Sequence, residues 1–287
     1  MIKKEVKNLQ ESVYHRLRNI AHSKKRPTQE VLRYYAMERF LYRLSISEYR
    51  NAFFLKGGLM LMVWSPSVYR PTRDIDLLGK INNSIENITN IIKEICAVGC
   101  AVDGILFDID TLSVIESQLD NEYRGVVVQF FAHLFTAKLS LRIDIGFSDT
   151  ILPHPVNINY PILLDFPIPQ LRGYTPETSI AEKLDTIIRR GRANTRMKDF
   201  YDIWVMLKQF QITQEQTLPL VSKIFQHRET PLSIFPEAFL ESFYTDPQII
   251  TLWEAFLRNI EQPSLSFQNV VLDIKAFFIP LLSMDKK

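Results

Sequence analysis

Hydrophobic positions along this 287-residue chain change period twice, from helical to alternating and back to helical. Residues 5–21 and 28–46 are predicted as helices. In the second, Val31, Leu32, Tyr35, Met37, Phe40, Leu41 and Leu44 recur at spacings of three and four, as one helix face requires. Thr28, after Pro27, is placed to cap it. The spacing also predicts a helix over 83–98. Asn83 and Glu86 form a capping-box pattern, Ile85, Ile88, Ile92 and Ile95 make one face, and Gly99 supplies the stop.

Between 73 and 147 the period falls to two. Candidate strands are Asp74–Leu78, Ile105–Asp110, Gly125–Leu134 and Lys138–Phe147. In the last, Leu139, Leu141, Ile143, Ile145 and Phe147 point one way, while Lys138, Ser140, Arg142 and Asp144 point the other. A proline-rich stretch, 153–176, reads as a link. From 176 onward only helices are predicted, over 176–190, 197–210, about 214–227, 236–244, 247–260 and 267–282. The fold expected is α+β: a small mixed sheet with N-terminal helices, then an all-helical domain. The division falls at 1–160 and 161–287.

Composition sharpens this picture. Only nine residues are glycine, none of them in the first 56 positions or the last 96. About 20 would be usual, so turn-rich β folds and collagen are excluded at both ends. Two of the nine are adjacent, Gly57-Gly58. With 46% hydrophobic and 23% charged residues the chain reads as an ordinary globular protein. The first residues lack the apolar core of a secretory signal, and the longest apolar run, Leu59–Trp64, is far short of a membrane span. Cys96 and Cys100 are the only cysteines; four apart and without a nearby histidine, they read as core rather than zinc ligands. His133 and His154 have no partner at a telling spacing. A cytoplasmic protein is the expectation. The net charge of +2 hides an asymmetry, since residues 1–50 carry 12 Lys/Arg against 5 Asp/Glu. Such an end suits an acidic partner such as nucleic acid, or simply a solvated helix face.

The candidate chemistry lies where the period changes. On a strand, Asp74 and Asp76 project from one face while Ile75 enters the core. Neighbouring carboxylates repel, and a hard divalent cation removes that cost. If the strand bearing Asp144 pairs beside them, three carboxylates converge, enough for two metals in phosphoryl transfer. Gly57-Gly58 opens a short apolar helix, Leu59–Trp64. Exposed backbone N–H groups there can cradle phosphate, although a glycine pair is also an ordinary turn and Asp-x-Asp an ordinary strand edge. Their order along the chain is the stronger signal.

That order, Gly57-Gly58, then Arg70-x-Thr72-x-Asp74-x-Asp76, then Asp144, resembles the polymerase-β-type nucleotidyltransferase superfamily. It is closer to the AbiEii-like toxins of type IV toxin–antitoxin and abortive-infection systems. The helix 31–44 and the motifs Glu182-Lys183-Leu184 and Arg196-Met197-Lys198-Asp199-Phe200-Tyr201-Asp202 also match, so the likeness covers roughly 28–210. Thr72 keeps the hydroxyl of the family's serine, whereas Leu59 stands where a small hydroxyl residue is common.

The resemblance implies a nucleotidyltransferase sheet domain using an NTP with Mg²⁺ or Mn²⁺ in a cleft beside the helical domain. Asp74, Asp76 and Asp144 would hold the metal, and Asp144 would help activate the acceptor hydroxyl. Gly57, Gly58, Arg70, Thr72, Lys183, Arg196 and Asp199 would bind nucleotide, and Lys183 and Asp202 would act in catalysis. The implied acceptor is an RNA 3′ end such as that of tRNA, and the implied partner an antitoxin encoded nearby; no membrane is involved. By spacing alone, Lys183 reads rather as a snorkelling surface residue, and it is the resemblance that points it to the nucleotide. Asp199 and Asp202 flank the stripe Met197, Phe200, Trp204 and Leu207, with pairs Arg196–Asp199 and Lys198–Asp202 in reach. The cations Arg189, Arg190, Arg192, Arg196 and Lys198 suit a triphosphate, an RNA backbone or a solvated connector. Transfer to a protein or a small molecule, and a non-catalytic NTP-binding module, are the alternatives.

Overall fold

The computed structural model describes residues 8–65, 70–99, 102–119, 123–147, 155–231, 236–262 and 264–282. Tyr69, Cys100 and His154 lie outside them. The chain divides into two compact units: Met1–Thr150 with Pro155–Gly173, and Tyr174–Lys287 with Ile151–His154.

In the first unit, α1 (Leu9–Ser23) and α2 (Thr28–Ile46) precede β1 (Phe53–Lys56), α3 (Gly58–Trp64) and β2 (Asp74–Gly79). Then come α4 (Ile85–Ala97), β3 (Leu106–Leu119), β4 (Tyr123–Leu134), β5 (Ala137–Phe147), β6 (Val156–Asn159) and β7 (Gln170–Gly173). The seven strands form one mixed sheet in the order β3-β4-β5-β2-β1-β7-β6. β2 runs parallel to β5 and β1 parallel to β7, while the remaining pairs are antiparallel.

The alternation read along 138–147 is the burial pattern of β5. Leu139, Leu141, Ile143 and Ile145, with Ile75 and Leu77 of β2, are buried in one core with α1, α2 and α4. Truncating one such leucine or isoleucine to alanine costs about 2–5 kcal/mol. α2 is the central helix and is buried on nearly all faces, including the charged Glu38, Arg39 and Arg43. Arg39 is fully buried and reaches Glu38 at 2.9 Å and the Pro167 carbonyl at 2.9 Å. Its guanidinium also lies 5.0 Å from the Tyr42 ring and 5.7 Å from Phe166.

The caps differ from the sequence expectation. Thr28 is the first helical residue of α2, and the capping position falls to Pro27, whose side chain has nothing to offer. The cap of α4 is Ser84, whose hydroxyl accepts from the Asn87 N–H; its C-terminal cap is Val98 rather than Gly99. The proline-rich link contains β6 and β7. Both are four residues long, and the prolines flank them rather than interrupt their ladder.

The second unit is helical: α5 (Pro176–Arg190), α6 (Met197–Gln209), α7 (Gln214–His227), α8 (Glu241–Tyr244), α9 (Pro247–Asn259) and α10 (Phe267–Leu282). Thr175 caps α5 by accepting from the Thr178 N–H, with Pro176 at the first helical position. Trp204 and Leu207 of α6 and Ile188 of α5 are only partly buried. Among the described residues no helix is long and apolar enough to cross a membrane.

Candidate active site

β2 stands between β1 and β5, and its register sets the site. Asp76 lies opposite Lys56 on β1 and opposite Asp144 on β5; Asp74 lies opposite Arg142. Ile75 and Leu77 face the core, so period two puts Asp74, Asp76 and Asp144 together on the other side of the sheet. The expected pairing of the two acidic strands is therefore present, in parallel and in register.

Three cations share that face. Arg142 places its Nε 2.9 Å from Asp144 Oδ1 and 3.8 Å from Asp74 Oδ1, spanning both carboxylates. The Lys56 ammonium reaches toward β5, 4.0 Å from where a Cβ on Gly146 would stand. Arg70, largely buried, belongs to the segment leading into β2. Burial pushes the Asp144 carboxyl above its ordinary range, Arg142 partly offsets this, and Asp76 and Asp74 add to the rise.

The glycine pair is held against this acidic row. Gly57 has φ of 67°, in the left-handed region, and caps α3. A Cβ on it would lie 2.0 Å from Asp76 Oδ2, closer than any side chain permits. At Gly58 a Cβ would meet Arg70 Nη1 at 2.6 Å and Thr72 Oγ1 at 2.9 Å. Gly57, Gly58, Arg70, Thr72 and Asp76 are thus gathered around the start of α3. Tyr34 fixes the segment from below, its hydroxyl accepting from the Thr72 N–H at 2.9 Å.

Two carboxylates in register on adjacent strands, Asp76 and Asp144, with Asp74 two residues along the same face, form a hard oxygen donor set of the kind that suits Mg²⁺ or Mn²⁺. Gly57 leaves Asp76 the room that a side chain would fill. The side chains do not converge as they stand: among the described residues no three His, Cys, Asp or Glu are grouped to hold a metal ion. The Arg142 guanidinium lies between two of the three. The donor chemistry fits a divalent cation.

The remaining predicted residues lie in the second unit and form a cluster of their own. Asp199 and Asp202 are buried, at 1% and 0% exposure, rather than merely flanking the apolar stripe of α6. Lys183 of α5 bridges them, its Nζ 2.9 Å from Asp199 Oδ1 and 2.8 Å from Asp202 Oδ2. Arg196 adds Nε at 2.7 Å to Asp199 Oδ2, the i, i+3 pair expected from spacing. Burial alone would raise Asp199, but Lys183 and Arg196 outweigh it and hold the carboxyl well below the usual range. Arg189 is engaged elsewhere, by Asp185 at 3.0 Å.

The functional-face residues that sequence reasoning did not single out are Arg142, Lys56 and Tyr34. Arg142 was legible as lying on the Asp144 face; its bridge to Asp74 depends on a pairing register that no local pattern carries. Likewise Asp185, fully buried between Arg228 at 2.7 Å, Arg189 and the Thr230 hydroxyl, has no local signal beyond its place beside Leu184.

The fold matches the crystal structure of JHP933 from Helicobacter pylori, with TM-score 0.50 and 15% identity over 88% of this chain and 91% of that one. A second H. pylori structure, itself only provisionally assigned as a nucleotidyltransferase, matches at TM-score 0.47 and 16% identity, over 88% of this chain and 94% of that one. No curated protein matches the chain. The family model for the nucleotidyl transferase AbiEii toxin of type IV toxin–antitoxin systems matches residues 39–272, and so spans both the glycine–carboxylate face and the Lys183 cluster. The chain therefore belongs to the AbiEii nucleotidyltransferase toxin family.

Proposed function

We propose that this protein transfers a nucleotide from an NTP to a hydroxyl on RNA, such as the 3′ end of tRNA, and that an antitoxin encoded nearby counters it. The observation that carries the chemistry is the in-register row of Asp76 and Asp144, with Asp74 beside them and the bare Gly57-Gly58 backbone against Asp76. The RNA acceptor rests on the family resemblance and on the basic N-terminal region.

Asp74, Asp76 and Asp144 are the residues that would hold a divalent cation. When bound, it supplies charge neutralisation for the triphosphate and for the attacking oxygen. The protein's own groups do the rest. Gly57 and Gly58 let phosphate approach the backbone without a Cβ in the way. The Thr72 hydroxyl and the Arg70 guanidinium, packed beside Gly58, donate to phosphate oxygens. The acceptor hydroxyl oxygen attacks the α-phosphorus; the new P–O bond replaces the bond to pyrophosphate. The hydroxyl proton passes to a carboxylate oxygen of Asp144, which lies in register with Asp76. Arg142 would swing from the carboxylates toward the departing pyrophosphate. By the family resemblance, Lys183, Arg196 and Asp199 are the proposed further nucleotide contacts, and Lys183 and Asp202 the further residues acting in catalysis.

The test is incubation of the protein with labelled NTPs, Mg²⁺ and total RNA. Label is expected in RNA and absent with Asp74→Ala. No transfer to RNA, or an Asp74→Ala variant that behaves as the parent does, rules the proposal out. Label in protein or in a small acceptor moves the activity to another substrate.

A further inference from the structure

The first unit carries a charged surface that the carboxylate face does not use. From Ser12 to Gln29 the chain has no Asp or Glu, yet it holds Arg16, Arg18, Lys24, Lys25, Arg26, His15 and His22. The buried positions of α1 are Val13, Leu17 and Ala21, which turns His15, Arg16, Arg18 and His22 outward. All four are exposed, as are Lys24 and Lys25 in the turn that follows. Among the described residues, Arg16, Arg18, Lys24 and Lys25 make no ion pair. The acids at the two borders are already engaged, Glu11 with His15 at 3.9 Å and Glu30 with Arg26 at 3.7 Å.

An aromatic group is held beside this stripe. Phe135, in the turn between β4 and β5, is 39% exposed. Its ring centroid is 5.7 Å from that of Tyr14 and 6.3 Å from that of His15. The Phe135 backbone has φ of 53°, a left-handed conformation that costs a non-glycine residue on the order of 1 kcal/mol. The two-residue turn between Leu134 and Ala137 calls for that backbone conformation, and Phe135 stays partly exposed against Tyr14 and His15, on a surface where acids are missing.

We propose that α1, the turn after it and the β4–β5 turn form a docking surface for the RNA that carries the acceptor hydroxyl. Arg16, Arg18, Lys24 and Lys25 contact phosphates. Phe135, backed by Tyr14, stacks on an unpaired base. The inference rests on the RNA-acceptor reading above. An acidic protein would also match the charge and is an outcome of the test below; the row of cations with a partly exposed ring beside it favours phosphates with an unpaired base.

Fluorescence anisotropy of a labelled RNA hairpin with a single-stranded 3′ tail, titrated with the full chain over a range of salt, tests this. The combined variant Arg16→Gln, Arg18→Gln, Lys24→Gln, Lys25→Gln is expected to bind about tenfold or more weakly near 0.1 M salt. Its salt dependence should be shallower by roughly 0.7–0.9 per lost phosphate contact. Phe135→Asn keeps a residue that tolerates the left-handed backbone. It should keep the melting curve while weakening binding about fivefold or more. If both variants bind as the parent does, and the parent labels RNA, the acceptor reading stands and this surface is refuted. If the parent neither binds nor labels RNA, both fall. If the combined variant loses an acidic antitoxin but keeps RNA, the surface belongs to the protein partner and the inference is overturned.

Discussion

The backbone of Gly57 passes so close to the Asp76 carboxylate that a Cβ there would stand 2.0 Å from Oδ2. The contact joins the turn into α3 to the middle of β2, and both conformation and space forbid a side chain. Gly57→Ala should cost at least about 1–2 kcal/mol of stability, through the strained φ and the displaced carboxylate. Transfer activity should fall further than stability does, since Asp76 must move. Thermal melting beside a transfer assay checks this; an alanine variant with full activity would refute the close approach.

Arg142 stands among the carboxylates where a metal would be expected to draw them together. Arg142→Ala should therefore tighten Mn²⁺ binding by the nucleotide-free protein, measured by calorimetry or by the electron paramagnetic resonance signal of free Mn²⁺. The gain should be modest, several-fold, because both arginine and Asp74 are 40% exposed and the pair is well screened. Unchanged or weaker Mn²⁺ binding would count against the bridging role.

Lys183 neutralises two buried acids at once. Lys183→Met leaves Asp199 and Asp202 buried without their shared cation and should destabilise by about 3–5 kcal/mol. Adding Asp199→Asn and Asp202→Asn should recover much of that loss, because the three groups act as a unit. Denaturant unfolding of the single and triple variants decides it; additive losses would show that the cluster is not coupled.

Glu38 supplies a pH signature. Burial lifts its carboxyl to about 7 despite Arg39 beside it and the Leu163 N–H at 2.8 Å. The folded-state value is above the unfolded one, so its contribution is fully present below about 4.5 and is lost as pH rises toward about 7. The loss should be of order 3 kcal/mol at most. Glu38→Gln keeps this side chain uncharged at every pH, so its melting temperature should lose the downward slope across that window and exceed the parent's relative to its own low-pH value. An unchanged slope would place the titration elsewhere.

Much of this arrangement could be read from local pattern. The isoleucines of α4 and the alternation of β5 each declare their element, because one face of each is buried and the other is not. Asp74 and Asp76 declare their common face for the same reason. β1 escaped notice because Phe53, Phe54 and Leu55 are all buried, and a short unbroken apolar run carries no period. β6 and β7 escaped because four-residue strands gain their identity from pairing partners. The same limit hid the Arg142 bridge and the depth of Asp199 and Asp202, whose cation, Lys183, comes from a different helix. The helix pattern placed those acids beside the stripe. Only the packing of α5 on α6 puts them inside.

The parallel register of β2 and β5 also sets an order in time. Asp76 and Asp144 face each other only when the non-local pairing has closed across the stretch of chain that holds α4, β3 and β4. β4 and β5 are a hairpin and can form early. β2 must wait for its partner to be synthesised. A chain that has not yet grown to Asp144, or is cut before it, holds two of the three carboxylates and no row. The carboxylate row therefore exists only once β5 has been made and has joined β2.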